Sequence, residues 1–341
     1  MDSPIDNFIL FFTKHLSSEK TRLHGVYLKS LRFGVQPQNL PIGEWIQAVQ
    51  EIEKLDYSTV FRSDHFATMN NDPFVMLASA ASVTKTLNIG SLVFAVDYRH
   101  PAIYAKAAAT LHLLSSGRFE FGIGAGYDPN DYNMTGIPLD SGRVRVERLG
   151  EAIKIIKGMW TQEKTSLSGK HYKVSEIVKA GELPEGQHPK ILIAGGGRKI
   201  LRLAAQYADI VGIIASWRGS WSNYRVQEMT SEGIMRKITF VKNAAKAFGR
   251  DPDCIEFQMM FPWTEITENP EPIIENIAKY IGVSTEDILA SEYWSCFGSS
   301  SDIRHKIRQL QEETGMSYFV LFLRRDQFGE YAESIVKPLT R

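Results

Sequence analysis

Arg62-Ser63-Asp64-His65-Phe66 places a carboxylate and an imidazole side by side. Imidazole is the side chain that exchanges protons near neutral pH, so His65 is the candidate proton donor or acceptor, pointing inward, and Asp64 the candidate to hold or hydrogen-bond a ligand. A loop pair that only satisfies backbone amides would read the same. A second polar cluster, Asp97-Tyr98-Arg99-His100-Pro101, precedes an alanine-rich stretch, where His100 can serve simply as a helix cap. His15, His24, His112, His171, His188 and His305 show no HExxH or other ligand spacing, so no metal is expected.

Two glycine clusters offer a different chemistry. Ser116-Gly-Arg-Phe-Glu-Phe-Gly-Ile-Gly-Ala-Gly-Tyr127 ends a β-rich run with Gly122, Gly124 and Gly126, removing side chains where a ligand could approach the backbone. Tight packing at a strand end accounts for the same glycines equally well, and the pattern lacks the third spacing of a dinucleotide fingerprint and the lysine of a phosphate loop. Gly195-Gly196-Gly197-Arg198 follows Ile191 to Ala194 and opens a helical pattern. Bare amides at a helix N-terminus suit a phosphate, and Arg198 adds a charge; the competing account is a plain strand-to-helix turn.

These clusters sit at the ends of β-rich runs that alternate with helical patterns from residue 31 onward, the mark of βα units and a parallel sheet. The runs are Leu31 to Val35, Ser58 to Arg62, Asn88 to Phe94, Phe119 to Gly124, Lys190 to Ala194, Ile210 to Ile214, Ile255 to Met260 and Tyr318 to Leu323. Eight such strands close a (β/α)8 TIM barrel, whose chemistry gathers at the C-terminal ends of the strands. Val146, Leu149, Ile153, Ile156 and Trp160 lay one apolar stripe on a helix facing the sheet. Pro101 fits a first helical turn, and Ser300 to Asp302 offers an N-cap for a helix ending at Gly315. About 161–189, with the turn Ser168-Gly-Lys170, and about 261–298 break the repeat and read as insertions at the C-terminal face, where substrate selectivity is expected. The domain reading is an extension over residues 1–30 and a barrel over 31–341.

Composition narrows the partners. Lysine plus arginine (39) equal aspartate plus glutamate (39), so no net charge draws the chain to nucleic acid or a membrane surface, and a small molecule is the expected partner. The two cysteines, Cys254 and Cys296, form neither a CxxC nor a disulfide framework and read as reduced thiols. The apolar run Phe8 to Phe12 follows Asp2 and Asp6 and is too short for a signal or a membrane span, so a cytoplasmic protein is expected.

Taken in order, Ser63-Asp-His-Phe66, Tyr98-Arg-His-Pro101, the glycine segment ending at Tyr127, Arg143 with Glu147, and Leu192-Ile-Ala-Gly-Gly-Gly197 through Ala208-Asp209 resemble the luciferase-like superfamily, especially its F420-dependent oxidoreductase branch, over roughly residues 31–325. The resemblance implies a flavin or deazaflavin at the C-terminal face, with hydride chemistry on its ring, and commonly a homodimer. It implies that His65 and Asp64 stand beside that ring, that Gly124, Ala125 and Gly126 line it, and that Gly195, Gly196, Gly197 and Arg198 hold the phosphate. It also implies a non-prolyl cis peptide near Leu92 and Val93. Two positions depart from the family's sugar-phosphate dehydrogenases: Tyr127 stands where they carry an acid, and Met69 where they carry tryptophan. Both belong to the expected substrate pocket, and both argue against glucose 6-phosphate.

The expected activity is hydride transfer between coenzyme F420 and a small organic substrate, with His65 handling the proton. The alternative within the superfamily is an FMN-dependent two-component monooxygenase fed by a separate reductase. From another class comes a non-catalytic flavin-binding barrel. An aldolase-type barrel would need a lysine at a strand's C-terminal end, and Lys190 begins its strand instead.

Overall fold

The structure, a computed structural model, describes residues 21–23, 26–216, 226–294 and 296–341. Eight parallel strands form the barrel: β1 (Arg32–Pro37), β2 (Thr59–Arg62), β3 (Asn88–Ser91), β4 (Phe119–Gly124), β5 (Lys190–Gly195), β6 (Ile210–Ile213), β7 (Glu256–Phe261) and β8 (Tyr318–Leu323). Each hydrogen-bonds the next, and β8 closes on β1 through Tyr318↔Arg32 to Leu323↔Pro37. All eight expected runs are strands of this ring. The third is shorter than expected: it stops at Ser91, and after a break at Leu92-Val93 the pair Phe94–Ala95 resumes against β4.

Helices α1 (Trp45–Lys54), α2 (Pro73–Val83), α3 (Pro101–Leu114), α4 (Gly142–Thr161), α5 (Arg198–Tyr207), α6 (Ser231–Ala247) and α7 (Ser300–Thr314) alternate with the strands. Pro101 occupies the first turn of α3, and α7 starts on a capping box of Ser299 with Asp302, one residue ahead of the expected cap, and ends at left-handed Gly315. On α4, Leu149, Ile153, Ile156 and Trp160 are buried as the stripe requires, and the indole N–H of Trp160 donates to the Ala105 carbonyl at 2.9 Å. Among the described residues no helix is long and apolar enough to cross a membrane.

The barrel interior is packed solid. Phe61 points inward between Gly34 and Gly90, where any Cβ would strike its ring. Leu92, Leu192, Ile210, Tyr318 and Val320 complete that inner cluster. At the N-terminal end of the strands Arg32 bonds Glu120 at 2.6 Å and Glu256 at 2.6 and 2.7 Å, while the Tyr318 hydroxyl donates to Glu120 at 2.9 Å. This buried polar floor lies at the opposite end from the strand tips that carry chemistry, which marks it as structural.

The two insertions behave differently. Residues 264–298 leave the top of β7 and return to the start of α7, so they stand at the C-terminal face, with Thr264–Ile266 paired in parallel to Cys296–Gly298. The first insertion starts from the far end of α4, and its hairpin, Lys164–Ser168 with Lys173–Val178, climbs the outer flank of that helix. Glu151 of α4 accepts from the amides of Lys170, His171 and Tyr172, and Tyr172 meets the ring of His100 at the start of α3. This insertion therefore reaches the C-terminal face by its tip. Of the expected N-terminal extension, the backbone of Thr21–Leu23 pairs antiparallel with Val26–Leu28; the apolar run Phe8 to Phe12 lies outside the described residues.

Candidate functional site

The end of β2 carries Ser63, Asp64 and His65, and the alternation of a strand turns Asp64 away from the other two. Ser63 is buried; its hydroxyl accepts from the Gln36 amide nitrogen at 2.8 Å and donates to the Leu92 carbonyl at 3.0 Å. Asp64 is buried too, and its carboxylate accepts from Arg99 at 2.7 Å. Burial pushes the Asp64 carboxyl above its usual pKa, with the Arg99 guanidinium and the Ala95 amide opposing the rise. Arg99 also bonds Asp72 at 2.7 Å, so Asp64 and Arg99 tie the end of β2 to the segments that follow β3 and precede α2. His65, half-buried, turns the other way.

The residue that meets His65 went unread in the sequence. Asp131 lies in the short helix Pro129–Thr135, and its Oδ2 stands 2.6 Å from His65 Nδ1. The Tyr98 hydroxyl donates to the same oxygen at 3.1 Å, while Oδ1 accepts from the amides of Phe66 at 2.8 Å and Ala67 at 2.7 Å. Four donors thus surround one buried carboxylate. Burial alone would raise the Asp131 carboxyl; the His65 hydrogen bond, the Ala67 amide, the charge on His65 and the Tyr98 hydroxyl outweigh it and hold the pKa below the ordinary value. A carboxylate on Nδ1 assigns the proton of a neutral imidazole to that nitrogen and leaves Nε2 as the acceptor. No described residue bonds Nε2. The Tyr127 ring meets His65 edge-on at 5.5 Å, and burial pushes the Tyr127 hydroxyl above its ordinary pKa. A fixed base therefore sits under an aromatic wall at the C-terminal face.

Donor atoms of His65, Asp128 and Asp131 fall within 4.8 Å of one another, the spacing of a cation site. The four donors on Asp131 already use its lone pairs, and Asp128 Oδ1 caps the short helix by accepting from Asn130 at 2.9 Å. The cluster is built as a hydrogen-bond hub.

The Leu92–Val93 peptide is cis, at the position the resemblance implies. The first glycine cluster is closely packed on three sides. A Cβ on Gly122 would fall on the Ser91 carbonyl, and one on Gly124 would stand 2.8 Å from a Val93 methyl. Gly126 has φ +69°, and a Cβ there would strike the Tyr132 hydroxyl. Internal packing accounts for all three glycines. Ala125 lies between them, half-buried against the core.

The second cluster divides likewise. Cβ atoms on Gly195 and Gly196 would collide with Ile200 and with the Ile214-Ala215 backbone, whereas nothing lies within 4 Å of one on Gly197, the N-cap of α5. Gly196, Gly197 and Arg198 line an open cleft of about 580 Å³ together with Ser216, Arg236 and Lys237. Lys237 of α6 is buried; it donates to the Ile214 carbonyl at 2.6 Å and to Glu228 at 2.9 Å. Burial lowers its pKa, against the pull of Glu228. Arg198 lies over the Phe240 ring at 5.2 Å. The N-terminus of α5, Arg198, Arg236 and Lys237 line one cleft with Glu228, the partner of Lys237, a set whose donors can take a phosphate. Arg236 and Lys237, which line this cleft, had no local signal in the sequence, since a lysine and an arginine in an amphipathic helix read as surface charge.

Residues 23–284 match the model of the luciferase-like monooxygenase family. The chain belongs to this family. Among curated luciferase-like relatives, an F420-dependent glucose-6-phosphate dehydrogenase of Amycolatopsis mediterranei is 26% identical over 268 residues, 76% of this chain and 72% of that protein. An F420-dependent hydroxymycolic acid dehydrogenase of Mycobacterium tuberculosis is 31% identical over 167 residues, 47% of this chain and 46% of its own. A solved F420-dependent secondary alcohol dehydrogenase, in complex with an F420-acetone adduct, superposes with a TM-score of 0.76 at 19% identity, covering 92% of this chain and 99% of that one. The last likeness shows the barrel fold; the family model and the curated relatives make the chain an oxidoreductase of the luciferase-like family.

Met69 lies at the rim, half-buried, with Arg62 donating to its sulfur at 3.5 Å. Arg143 and Glu147, part of the family resemblance, pair at 2.8 Å on the exposed start of α4.

Proposed function

We propose that this chain is an F420-dependent oxidoreductase that moves a hydride between the deazaflavin and a small organic substrate at the C-terminal face of the barrel. The observation that carries the reading is the His65–Asp131 pair standing on the same face as the cationic cleft of Gly196, Gly197 and Lys237. In this reading Gly197, Arg198, Arg236 and Lys237 hold the cofactor phosphate, and the bulge at Leu92 and Val93 supports the ring. The bound cofactor supplies the hydride chemistry. Asp131 keeps the His65 proton on Nδ1, so Nε2 takes a proton from an alcohol being oxidised, or the protonated ring gives one to a carbonyl being reduced. Tyr127, with the aromatics of the second insertion, excludes water and shapes the substrate side. Tyr127 and Met69 in place of an acid and a tryptophan support a substrate other than glucose 6-phosphate.

The same reading carries a cytoplasmic homodimer. Val75 on α2 and Ile103 on the neighbouring α3 are 69% and 57% exposed, apolar side chains of the kind that subunits cover.

A paired fluorescence titration of the purified protein with F420 and with FMN, repeated on His65→Ala, tests the assignment. The expected result is tighter binding of F420, kept in the variant, with turnover lost. Preference for FMN would move the assignment to a monooxygenase supplied by a separate reductase. Binding without turnover on any alcohol or carbonyl would leave a non-catalytic carrier.

A further inference from the structure

Two features of the sequence take no part in the site around His65: the Arg143–Glu147 pair and the turn Ser168-Gly-Lys170 of the first insertion. Arg143, Glu147 and Lys170 line one cleft of about 500 Å³ in the outer layer of helices, the size of a small-molecule site. Helices α4 and α5 meet there, where a Cβ on Gly150 would stand 3.3 Å from a Leu203 methyl. The tip of the hairpin adds a further wall, tied down by Glu151 through the amides of Lys170, His171 and Tyr172. The insertion therefore builds a cleft that the barrel alone would lack.

Its charge is one-sided. Five lining side chains are cationic, Arg143, Lys154, Lys170, Lys199 and Arg202, and two are anionic, Glu147 and Glu151, in a chain whose basic residues (39) equal its acids (39). Both acids are engaged: Glu147 pairs with Arg143 at 2.8 Å and with Lys170 at 3.3 Å, and Glu151 holds the hairpin amides. Lys154 of α4 and Lys199 and Arg202 of α5 have no ion pair or hydrogen bond among the described residues; Arg202 lies over the Phe248 ring at 4.8 Å. His171 lines the same cleft with its side chain only 10% exposed, and its Nε2 finds no hydrogen-bond partner. A single exposed lysine is ordinary solvated charge. Three unpaired cations from two helices around one cleft repel one another and focus a field that draws in an anion. We propose that this cleft binds a small polyanion, an organic molecule with two or more carboxylate or phosphate groups, which bridges Lys154, Lys199 and Arg202 and rests its carbon body on Leu203 and Tyr207. Arg198 lines the glycine cleft and Lys199 lines this one, so the first turn of α5 separates the two anion sites. His65 is not part of the lining, and the polyanion binds without F420 or the reacting substrate.

The test is isothermal titration of the cofactor-free protein with citrate and with tripolyphosphate at constant ionic strength, on the natural chain and on Gly197→Asp, which closes the glycine cleft to anions. At least one probe should bind the natural chain and still bind Gly197→Asp, and the tighter of the two tells carboxylate from phosphate. Adding Lys154→Gln and Arg202→Gln to Gly197→Asp should weaken that binding by about tenfold or more, as two lost charge contacts require. Lys199→Gln, an exposed side chain without a partner, decides the matter if the combined variant does not fold. Lys106→Gln with Lys246→Gln removes two exposed cations outside the cleft and should leave the binding unchanged. No binding of either probe to Gly197→Asp, unchanged binding after Lys154 and Arg202 are neutralised, or an equal loss on neutralising Lys106 and Lys246 overturns the proposal. F420 does not enter the measurement, so each outcome leaves the cofactor assignment to its own titration.

Discussion

His65 and Asp131 are 66 residues apart, yet their side chains meet at 2.6 Å, and the same carboxylate holds the amides of Phe66 and Ala67. One acid therefore both orients the base and fixes the loop that carries it. The short helix after β4 and the loop after β2 form a single unit, with Tyr98 from the turn after β3 as the third strut.

Replacing Asp131 by Asn separates these two tasks. The amide oxygen can still accept from one set of donors, but the NH₂ group cannot accept the Nδ1 proton, so the favoured tautomer reverses. Turnover of F420 should fall by about 10²-fold or more, the range of a lost general acid–base contribution. The melt should drop by the equivalent of about 1–3 kcal/mol for buried donors left without acceptors. Stopped-flow absorbance of the cofactor and a thermal melt read the two effects independently; unchanged turnover would remove Asp131 from the mechanism.

Acid should find the same residue. The Asp131 pKa is lower folded than unfolded, so the native state binds fewer protons there. Its stabilisation is complete above the ordinary carboxylate value of about 3.9 and is lost as the pH falls through that value toward the lower folded pKa. Urea midpoints taken from pH about 5 down to about 3 should therefore fall more steeply for the natural chain than for Asp131→Asn. Parallel slopes would mean that the carboxyl titrates alike in both states.

Gly197→Asp is the cleanest probe of the phosphate cleft. Open space surrounds a Cβ at Gly197, so the variant adds a negative charge at the helix N-terminus without a clash. It should keep its melting temperature within a few degrees and lose F420 affinity by at least about tenfold, one unfavourable charge contact of about 1.4 kcal/mol. Gly196→Asp would instead drive its side chain into the Ile214-Ala215 backbone, and should lose stability first. If Gly197→Asp binds F420 as tightly as the natural chain, the phosphate lies elsewhere.

The two thiols should differ in reactivity. Cys254 is exposed, while Cys296 is buried in the second insertion, and burial pushes its thiol up to about 12. A thiol reagent at neutral pH should label Cys254 rapidly and Cys296 only after denaturation, because the thiolate is the nucleophile. Mass spectrometry of the labelled peptides checks this, and native labelling of Cys296 would show that the insertion opens.

The barrel was legible because its signals are local. Each β-run carries its own apolar residues, each helix its own stripe or cap, and eight alternations leave few ways to close a parallel sheet, so strand ends and the residues upon them follow from the order alone. His65 and the glycine turn likewise follow the strands that the sequence order assigns them, at the C-terminal ends of β2 and β5. Partnership was not legible. Asp131 looks like one more acid in a capped turn until the fold brings it under His65; Asp64 looks free until Arg99 reaches it; Lys237 looks like a surface lysine until α6 packs beside Gly196. The glycines before Tyr127 read equally as ligand space or as tight packing, and only the fold sets Ser91, Val93 and Tyr132 against them. A side chain's type is set by the chain at one position, but its proton, its charge and its free volume are set by what burial places against it, and those neighbours come from distant segments that only the closed barrel assembles.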